Sequence, residues 1–391
     1  MGPLHGVKIL DMSVMISGPL AAMTLAEQGA EVVKVESPGL GDLMRFLGTS
    51  KGGMTGIFAG NNRGKRSLVV DVKKPEGLDI VRRLAAESDV LIQNFRPGAM
   101  DRLGLGWEDM HALNPRLIYV SISGFGPDGP KSDQRVYDNV IQASSGLASV
   151  QADSATGVPA LFRTLLCDKV TSLTAAQAIA AALFARERGA AEGQHIVLAM
   201  LDAAISFLWP DSAMDAMLLD DDVHRSRTIG SAYAVTEFAD GYAAVSAVSD
   251  SEWHGYFRSL GRPELCEDER YATMTARMQH LSELVPLLRE LARAVPLERF
   301  LAAAAQHQVP TAPIVSLDDL PLDAQVVHND VFSIRQHPAA GTIRDPRPAP
   351  RFSATPAATG QHAPTYGQHS DEIVTELGLD AAALRAAGVI I

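Results

Sequence analysis

A chain of 391 residues, 47% hydrophobic and 20% charged, is long enough for a large core and for two domains. Its net charge of −12 argues against nucleic-acid binding, which requires neutralised phosphates. Any anionic ligand must be met by a local basic cluster or by backbone amides. Two cysteines, Cys167 and Cys266, make no disulfide framework, so the chain can fold in a reducing compartment.

The start, Met1-Gly-Pro-Leu-His-Gly-Val-Lys8, lacks the charge and apolar run of a secretory signal. It also lacks the Ser or Thr of a myristoylation signal, since position 6 is Gly6. The longest apolar stretch, Ile196 to Trp209, is short for a bilayer span and carries Asp202. The expectation is a cytoplasmic protein with no membrane partner.

In chain order, residues 7–12 read as a short buried strand, and 19–29 as a helix stopped by Gly29. Glu31-Val-Val-Lys-Val-Glu36 alternates charged and apolar residues, the period of a strand. Residues 67–72 form a third strand, 75–88 a helix with proline in its first turn, and 89–93 and 117–122 two further strands. Strands alternating with helices at this spacing predict a parallel α/β sheet. Residues 169–188 are Ala-rich and apolar on most sides, a buried helix ended by Gly189. His195 to Trp209 is a helix, or a strand running into one, broken by Pro210. Residues 226–320 read as a separate unit: two strands about the turn Ala239-Asp240-Gly241, then helices at 251–260, 281–295 and 296–306. Proline density between Pro338 and Pro364 predicts an extended connection. Helical turns follow at 370–377 and 380–386. The predicted divisions are 1–205, a linker at 206–225, 226–320, and a return over 321–391.

The chain has no phosphate loop of the Walker type, no Gly-x-Ser-x-Gly elbow, no His-Glu-x-x-His zinc site and no Gly-x-Gly-x-x-Gly after the first strand. Three segments carry chemistry. Asn62-Arg-Gly-Lys-Arg-Ser67 offers three cations to a phosphate, although spacing alone favours a solvated turn. Gln93-Asn-Phe-Arg-Pro-Gly-Ala-Met-Asp-Arg-Leu-Gly104 begins where the fourth strand ends, the place where open parallel sheets bind ligands, and offers Asn94, Phe95 and Arg102; it reads equally well as a loop with a Pro-Gly turn. Leu165-Leu-Cys-Asp168-Lys-Val-Thr171 places Asp168 at the start of the long helix. There it is either an N-cap or a carboxylate held ionised by the helix dipole as a nucleophile; residue type alone favours the cap.

Together these segments resemble the family III coenzyme A transferases, a group that includes formyl-CoA:oxalate and carnitine CoA-transferases and the α-methylacyl-CoA racemases. The likeness runs from Gly6 to the C-terminus. It rests on Gly6-Val-Lys-Ile-Leu-Asp11, Gly18-Pro19, Gly29-Ala-Glu-Val-Val-Lys-Val-Glu36, Gly41-Asp42, Asn62-Arg-Gly-Lys-Arg-Ser-Leu68, Asn94-Phe-Arg-Pro-Gly98, Asn114-Pro-Arg-Leu-Ile118, Ser123-Gly-Phe-Gly126, Gly129-Pro130, Cys167-Asp-Lys-Val-Thr171 and Gly193-Gln-His-Ile-Val197. The resemblance implies a doubly wound, Rossmann-like large domain formed by both chain ends, a smaller α+β domain, and an interlocked homodimer. It implies Asp168 as the catalytic carboxylate, passing through a mixed anhydride and an aspartyl-CoA thioester. CoA contacts would fall on Arg66, Val70, Lys73, Asn94, Phe95, Arg102, Arg135 and Tyr137, with Ile16 and Asp138 near the substrate. CoA and acyl-CoA are then substrates, with no permanent cofactor and no metal, and a carboxylic acid is the other partner.

Two departures bear on substrate. Ile16 replaces a glutamine that serves the oxalate enzyme, and the stretch Ile229–Glu237 lacks the glycine run that shields intermediates in some members. A racemase is the main alternative, and needs two acid/base groups about the α-carbon. Its His-Asp pair is replaced here by Tyr137-Asp138, and a tyrosine with a pKa of about 10 is a weak base at neutral pH. A CoA lyase or hydrolase of the same superfamily is a further alternative, and a non-catalytic CoA-binding protein a remoter one.

Overall fold

The computed structural model describes all residues except 154–155, 226–229 and 231–232. The described chain forms two compact units, Met1–Pro210 with His328–Ile391, and Asp211–Val327. No described helix is long and apolar enough to cross a membrane.

The first unit is built on a six-stranded sheet. Its strands, in chain order, are Lys8–Asp11, Glu31–Glu36, Lys65–Val69, Val90–Gln93, Ile118–Ser123 and Gln194–Ala199. All pair in parallel, and their spatial order is third, second, first, fourth, fifth, sixth. This is the doubly wound order in which the chain reverses direction between the first and fourth strands. Parallel sheets of this kind are covered on both faces. On one face Ile9, Val32, Ile92 and Val120 meet Ala21 and Leu25 of helix Ser17–Glu27, and Ala175 and Ile179 of helix Leu166–Glu187. On the other, Leu10, Val35, Leu68 and Leu91 meet helices Pro75–Ala86 and Ser370–Glu376 through Ile80, Val81, Ile373 and Val374. The segment after 366 is stitched to the third strand: His369 N–H donates to Ser67 O, Asp71 N–H to Val389 O, and Val70 bridges Ile390.

Several expectations shift. The alternation in Glu31–Glu36 does not separate outside from inside, because Lys34 and Glu36 are buried. The strand is interior, so its charges must find partners within the protein. Helix Leu166–Glu187 is not apolar inside alone; Leu173 and Phe184 are exposed on its outer side. Pro210 lies within helix Met200–Ser212 rather than ending it. The proline-dense segment begins as a hairpin, Phe332–His337 with Gly341–Pro346, before becoming irregular.

The second unit pairs a three-stranded antiparallel sheet (Val235–Glu237, Tyr242–Val245, Thr311–Pro313) with helices Asp250–Ser259, Leu281–Arg293 and Leu297–Gln306. Ser249 and Glu252 close a reciprocal cap at the first of these helices. Phe238, Phe257, Leu284 and Phe300 fill its core.

Candidate active site

The carboxyl ends of the first and fourth strands flank the point where strand order reverses. The loop after the first strand, Ser13–Ile16, is held there residue by residue. Ser13 N–H donates to Asp11 Oδ1 at 3.0 Å, Val14 N–H to Asn94 Oδ1 at 2.9 Å and Met15 N–H to Asp42 Oδ1 at 3.1 Å. Asn94 Nδ2 returns a bond to Val14 O at 2.7 Å. Met15 sits at φ 64°, the left-handed region that a side chain adopts at a cost of about 1–3 kcal/mol, so these bonds over-determine the loop.

Beneath it lies a layer of buried charge. Lys65 Nζ donates to Asp11 Oδ2 at 2.7 Å, Pro19 O at 2.8 Å and Asn62 Oδ1 at 2.8 Å. Lys34 Nζ meets Asp42 Oδ2 at 2.9 Å and Ser13 O at 2.9 Å. Burial pushes the Lys65 ammonium down to about 8 against the pull of Asp11. Burial would raise the Asp11 carboxyl, but Lys65 and Lys34 outweigh it and hold it below the usual range. Arg63 is likewise spent on Glu27 and Asp345, at 2.7 and 3.2 Å. Of the cations at 63–66, Arg63 and Lys65 are therefore neither a phosphate cluster nor a solvated turn. They are interior counter-ions.

The loop leads into helix Ser17–Glu27, whose first N–H groups have no intrahelical acceptor. The Ser17 N–H faces the carboxylate of Asp168 and works to lower its pKa. Asp168 is the third residue of helix Leu166–Glu187, and the N-cap is Leu165, which makes no side-chain cap. The capping expectation is thus corrected: one turn inside the boundary, the Asp168 carboxyl points to another helix. The amide of residue 168 is satisfied instead by Asp138, whose Oδ1 accepts it at 3.0 Å. Burial and the Asp138 charge push the Asp168 carboxyl up to about 7, against the pull of the Ser17 N–H. Desolvation thus works against the hold of a helix dipole on the ionised form. The neighbouring Cys167 thiol is buried and pushed up to about 12, so it stays protonated and inert at neutral pH.

A family model described as CoA-transferase family III matches residues 4–370. The mouse succinyl-CoA:glutarate CoA-transferase is 34% identical over 385 residues, covering 96% of this chain and 87% of that one. Succinate–glutarate CoA-transferase of Agrobacterium fabrum is 32% identical, covering 96% of each. The chain belongs to CoA-transferase family III. Its fold agrees: a CAIB/BAIF family protein from Brucella suis superposes with a TM-score of 0.85 at 32% identity, covering 96% of this chain and 99% of that one.

In this family III CoA-transferase the other expected site residues are distributed unevenly. Val70, Lys73, Asn94, Phe95, Arg102, Arg135 and Tyr137 all follow carboxyl ends of strands. Lys73, Phe95, Arg102, Arg135 and Tyr137 are exposed. The Arg102 guanidinium lies over Gly98, 3.2 Å from where a Cβ there would stand. Val70 is a core residue, and its N–H is already given to Glu36 O. Asn94 has both amide atoms engaged by Val14. Ile16 is buried among Met44, Met54 and Phe58. Arg66 stands apart. It is the second residue of its strand, about 13 Å below Val70 at ~3.3 Å per residue, and is paired with Glu372 and Glu376 at 2.9 and 2.7 Å. Of the stretch 229–237, Ile229, Ser231 and Ala232 lie outside the described residues.

Sequence reasoning missed Ser17, Asp11, Lys34, Asp42 and Gln142. Gln142 Nε2 donates to Asp138 Oδ2 at 2.5 Å, and only the i, i+4 spacing on one helix could have suggested it.

Proposed function

We propose that this chain moves CoA from an acyl-CoA donor to a carboxylic acid through covalent intermediates on Asp168. An Asp168 oxygen attacks the thioester carbonyl, the C–S bond breaks, and CoA thiolate leaves a mixed anhydride. The thiolate then attacks the aspartyl carbonyl, releasing the donor acid and forming an aspartyl-CoA thioester. The acceptor carboxylate attacks that thioester, and the thiolate returns to its acyl group, regenerating Asp168. CoA is consumed and returned, so no permanent cofactor is needed.

The observation that carries this reading is the placement of Asp168. Its carboxylate is half-buried, raised in basicity, and set near the Ser17 N–H at the positive end of a helix. A more basic carboxylate is a better nucleophile, and a fixed N–H donor suits oxygen charge that develops on attack. Phe95 and Arg102 at the strand-reversal crevice fit the nucleotide and phosphates of CoA, with Lys73, Arg135 and Tyr137 as further exposed contacts; Arg66 would reach CoA only by leaving its glutamates. Succinyl-CoA appears in the names of relatives from mouse and Chloroflexus aurantiacus, the latter acting on citramalate at 32% identity. A succinyl donor with a four- or five-carbon dicarboxylic acceptor is therefore the pair proposed for this chain, in the cytoplasm and as a homodimer.

The test is a panel of acyl-CoA donors against mono- and dicarboxylic acids, read by mass spectrometry, with hydroxylamine trapping and peptide mapping. Transfer with an adduct on Asp168 is expected. Release of free CoA without a new thioester would replace transfer with hydrolysis, and an unmodified Asp168 would remove the covalent mechanism. Light scattering tests the dimer.

A further inference from the structure

Gln142 and Asp138 are the first such pair inward from Asp168. Both are buried, at 1% and 2% exposure, one turn apart on helix Asp138–Ser144. Besides Asp138, Gln142 Nε2 faces Phe162 O and Thr164 O, each at 3.2 Å, and Gln142 Oε1 accepts the Phe162 N–H at 2.8 Å. One side chain thus spans the segment that runs into the helix carrying Asp168. Through Asp138 it also reaches that helix's first turn: one oxygen of Asp138 takes the Gln142 amide, the other takes the Asp168 N–H. Gln142 is the group that fixes which way the Asp138 carboxylate faces.

Resting on the covalent role of Asp168 proposed above, we infer that Gln142 is a positioning residue for the nucleophile. It acts on two properties at once. The four contacts hold residues 162–168 in one register, so the Asp168 carboxylate meets the thioester at a fixed angle. Loss of aim on the scale of 1 Å costs on the order of 100-fold in rate. The same contacts hold the Asp138 charge beside Asp168, which keeps the nucleophile basic. Among the described residues around Asp168, none of the following is placed to do both. Helix Ser17–Glu27 contributes only the Ser17 N–H, since its one charged residue, Glu27, is paired with Arg63. On the helix of Asp168 itself, Cys167 is a protonated thiol and Lys169 Nζ is turned back to Thr164 Oγ1 at 2.7 Å. Arg163 and Tyr137 are exposed. Gln142 is uncharged and needs no proton transfer; it acts by placing groups that do react.

Gln142→Glu is the informative substitution. It keeps size and shape, but an ionised glutamate cannot donate to Asp138 and repels it, whereas a protonated one can donate. Two carboxylates so close share a proton over an elevated pH range. The experiment compares parent, Gln142→Glu and Gln142→Asn for kcat, KM for the acyl-CoA, and the single-turnover rate of hydroxylamine-trappable adduct on Asp168, from pH 5.5 to 8.5. At pH 8, Gln142→Glu is expected to lose about 100-fold in adduct formation with KM within about threefold of the parent. Its rate relative to the parent rises by about tenfold as pH falls toward 6. Gln142→Asn, one methylene shorter, loses kcat at every pH with no such recovery. Parent-like adduct rates in both variants would overturn the inference while leaving Asp168 as nucleophile. So would equal losses of CoA binding, folding and turnover without pH recovery, which mark a purely structural role. A parent that forms no adduct removes the reading of Asp168 and the inference with it.

Discussion

Asp168→Asn separates chemistry from stability, and the two effects run in opposite directions. In the folded protein the carboxyl is pushed from 3.8 to about 7 by burial and by Asp138. A rise of about 3 in pKa, at about 1.4 kcal/mol each, makes the ionised form some 4 kcal/mol less favourable folded than unfolded. The native state therefore binds this proton more tightly than the unfolded chain does. The penalty is absent below about pH 4, grows as pH rises, and is complete above about pH 7. An asparagine has the same shape and carries no ionisation penalty, while the bond from the residue 168 amide to Asp138 Oδ1 is untouched. The variant should match the parent in stability near pH 3.5 and exceed it by about 2–4 kcal/mol at pH 8, the lower figure allowing for relaxation around the charge. Turnover should fall by several orders of magnitude at all pH values, because a neutral amide is a poor nucleophile. Urea unfolding at the two pH values measures the first effect, and donor-to-acceptor transfer read by mass spectrometry measures the second. A stability difference that does not grow with pH would refute the desolvated carboxyl. Parent-level transfer would refute the nucleophile.

Asn94→Ala removes both bonds to Val14 and should lower stability by about 1–3 kcal/mol by thermal unfolding, with a fall in kcat as the loop before Ser17 loosens. Lys65→Met leaves Asp11 buried and unpaired and should cost about 3–5 kcal/mol, much of it recovered in the double variant with Asp11→Leu, both read by urea unfolding. If Tyr137 replaces a racemase's basic histidine, as the resemblance implies, the parent should take up no deuterium at Cα of 2-methylacyl-CoA in heavy water; rapid uptake by NMR would favour racemase chemistry.

The order of strands and helices was legible in the sequence because strands such as Val90–Gln93 and Ile118–Ser123 are short, mostly apolar runs, and several helices end near a glycine or begin at a proline. The parallel sheet followed from that alternation. The interior charge was not legible. Lys34 and Glu36 sit where a period-two reading turns charge outward, and Lys65 and Arg63 find partners remote in sequence, Asp11 and Asp345. Asn94 had the chemistry of a ligand contact, yet its partner is Val14, 80 residues earlier. Asp168 was found by its motif, but its environment was misjudged: an acid at a helix start reads as a cap until burial and a second carboxylate are known. Gln142 carried no signal that separates it from an ordinary helical glutamine, because three of its four contacts lie 20 or 22 residues further on.

The antiparallel bridge between Val70 and Ile390 sets a schedule for synthesis. The strand edge ending at Val69 emerges from the ribosome about 320 residues before the segment that covers it. At roughly 5–20 residues per second that is an interval of about 15–60 s. Throughout it, Leu68, Val70 and Ile80 lack Ile373, Val374 and Ile390, so an apolar face of the nascent sheet stands open to chaperones and to neighbouring chains. Slow decoding late in the message would lengthen that exposure, and yield in cells would then depend on codon choice far downstream of the sheet it leaves uncovered.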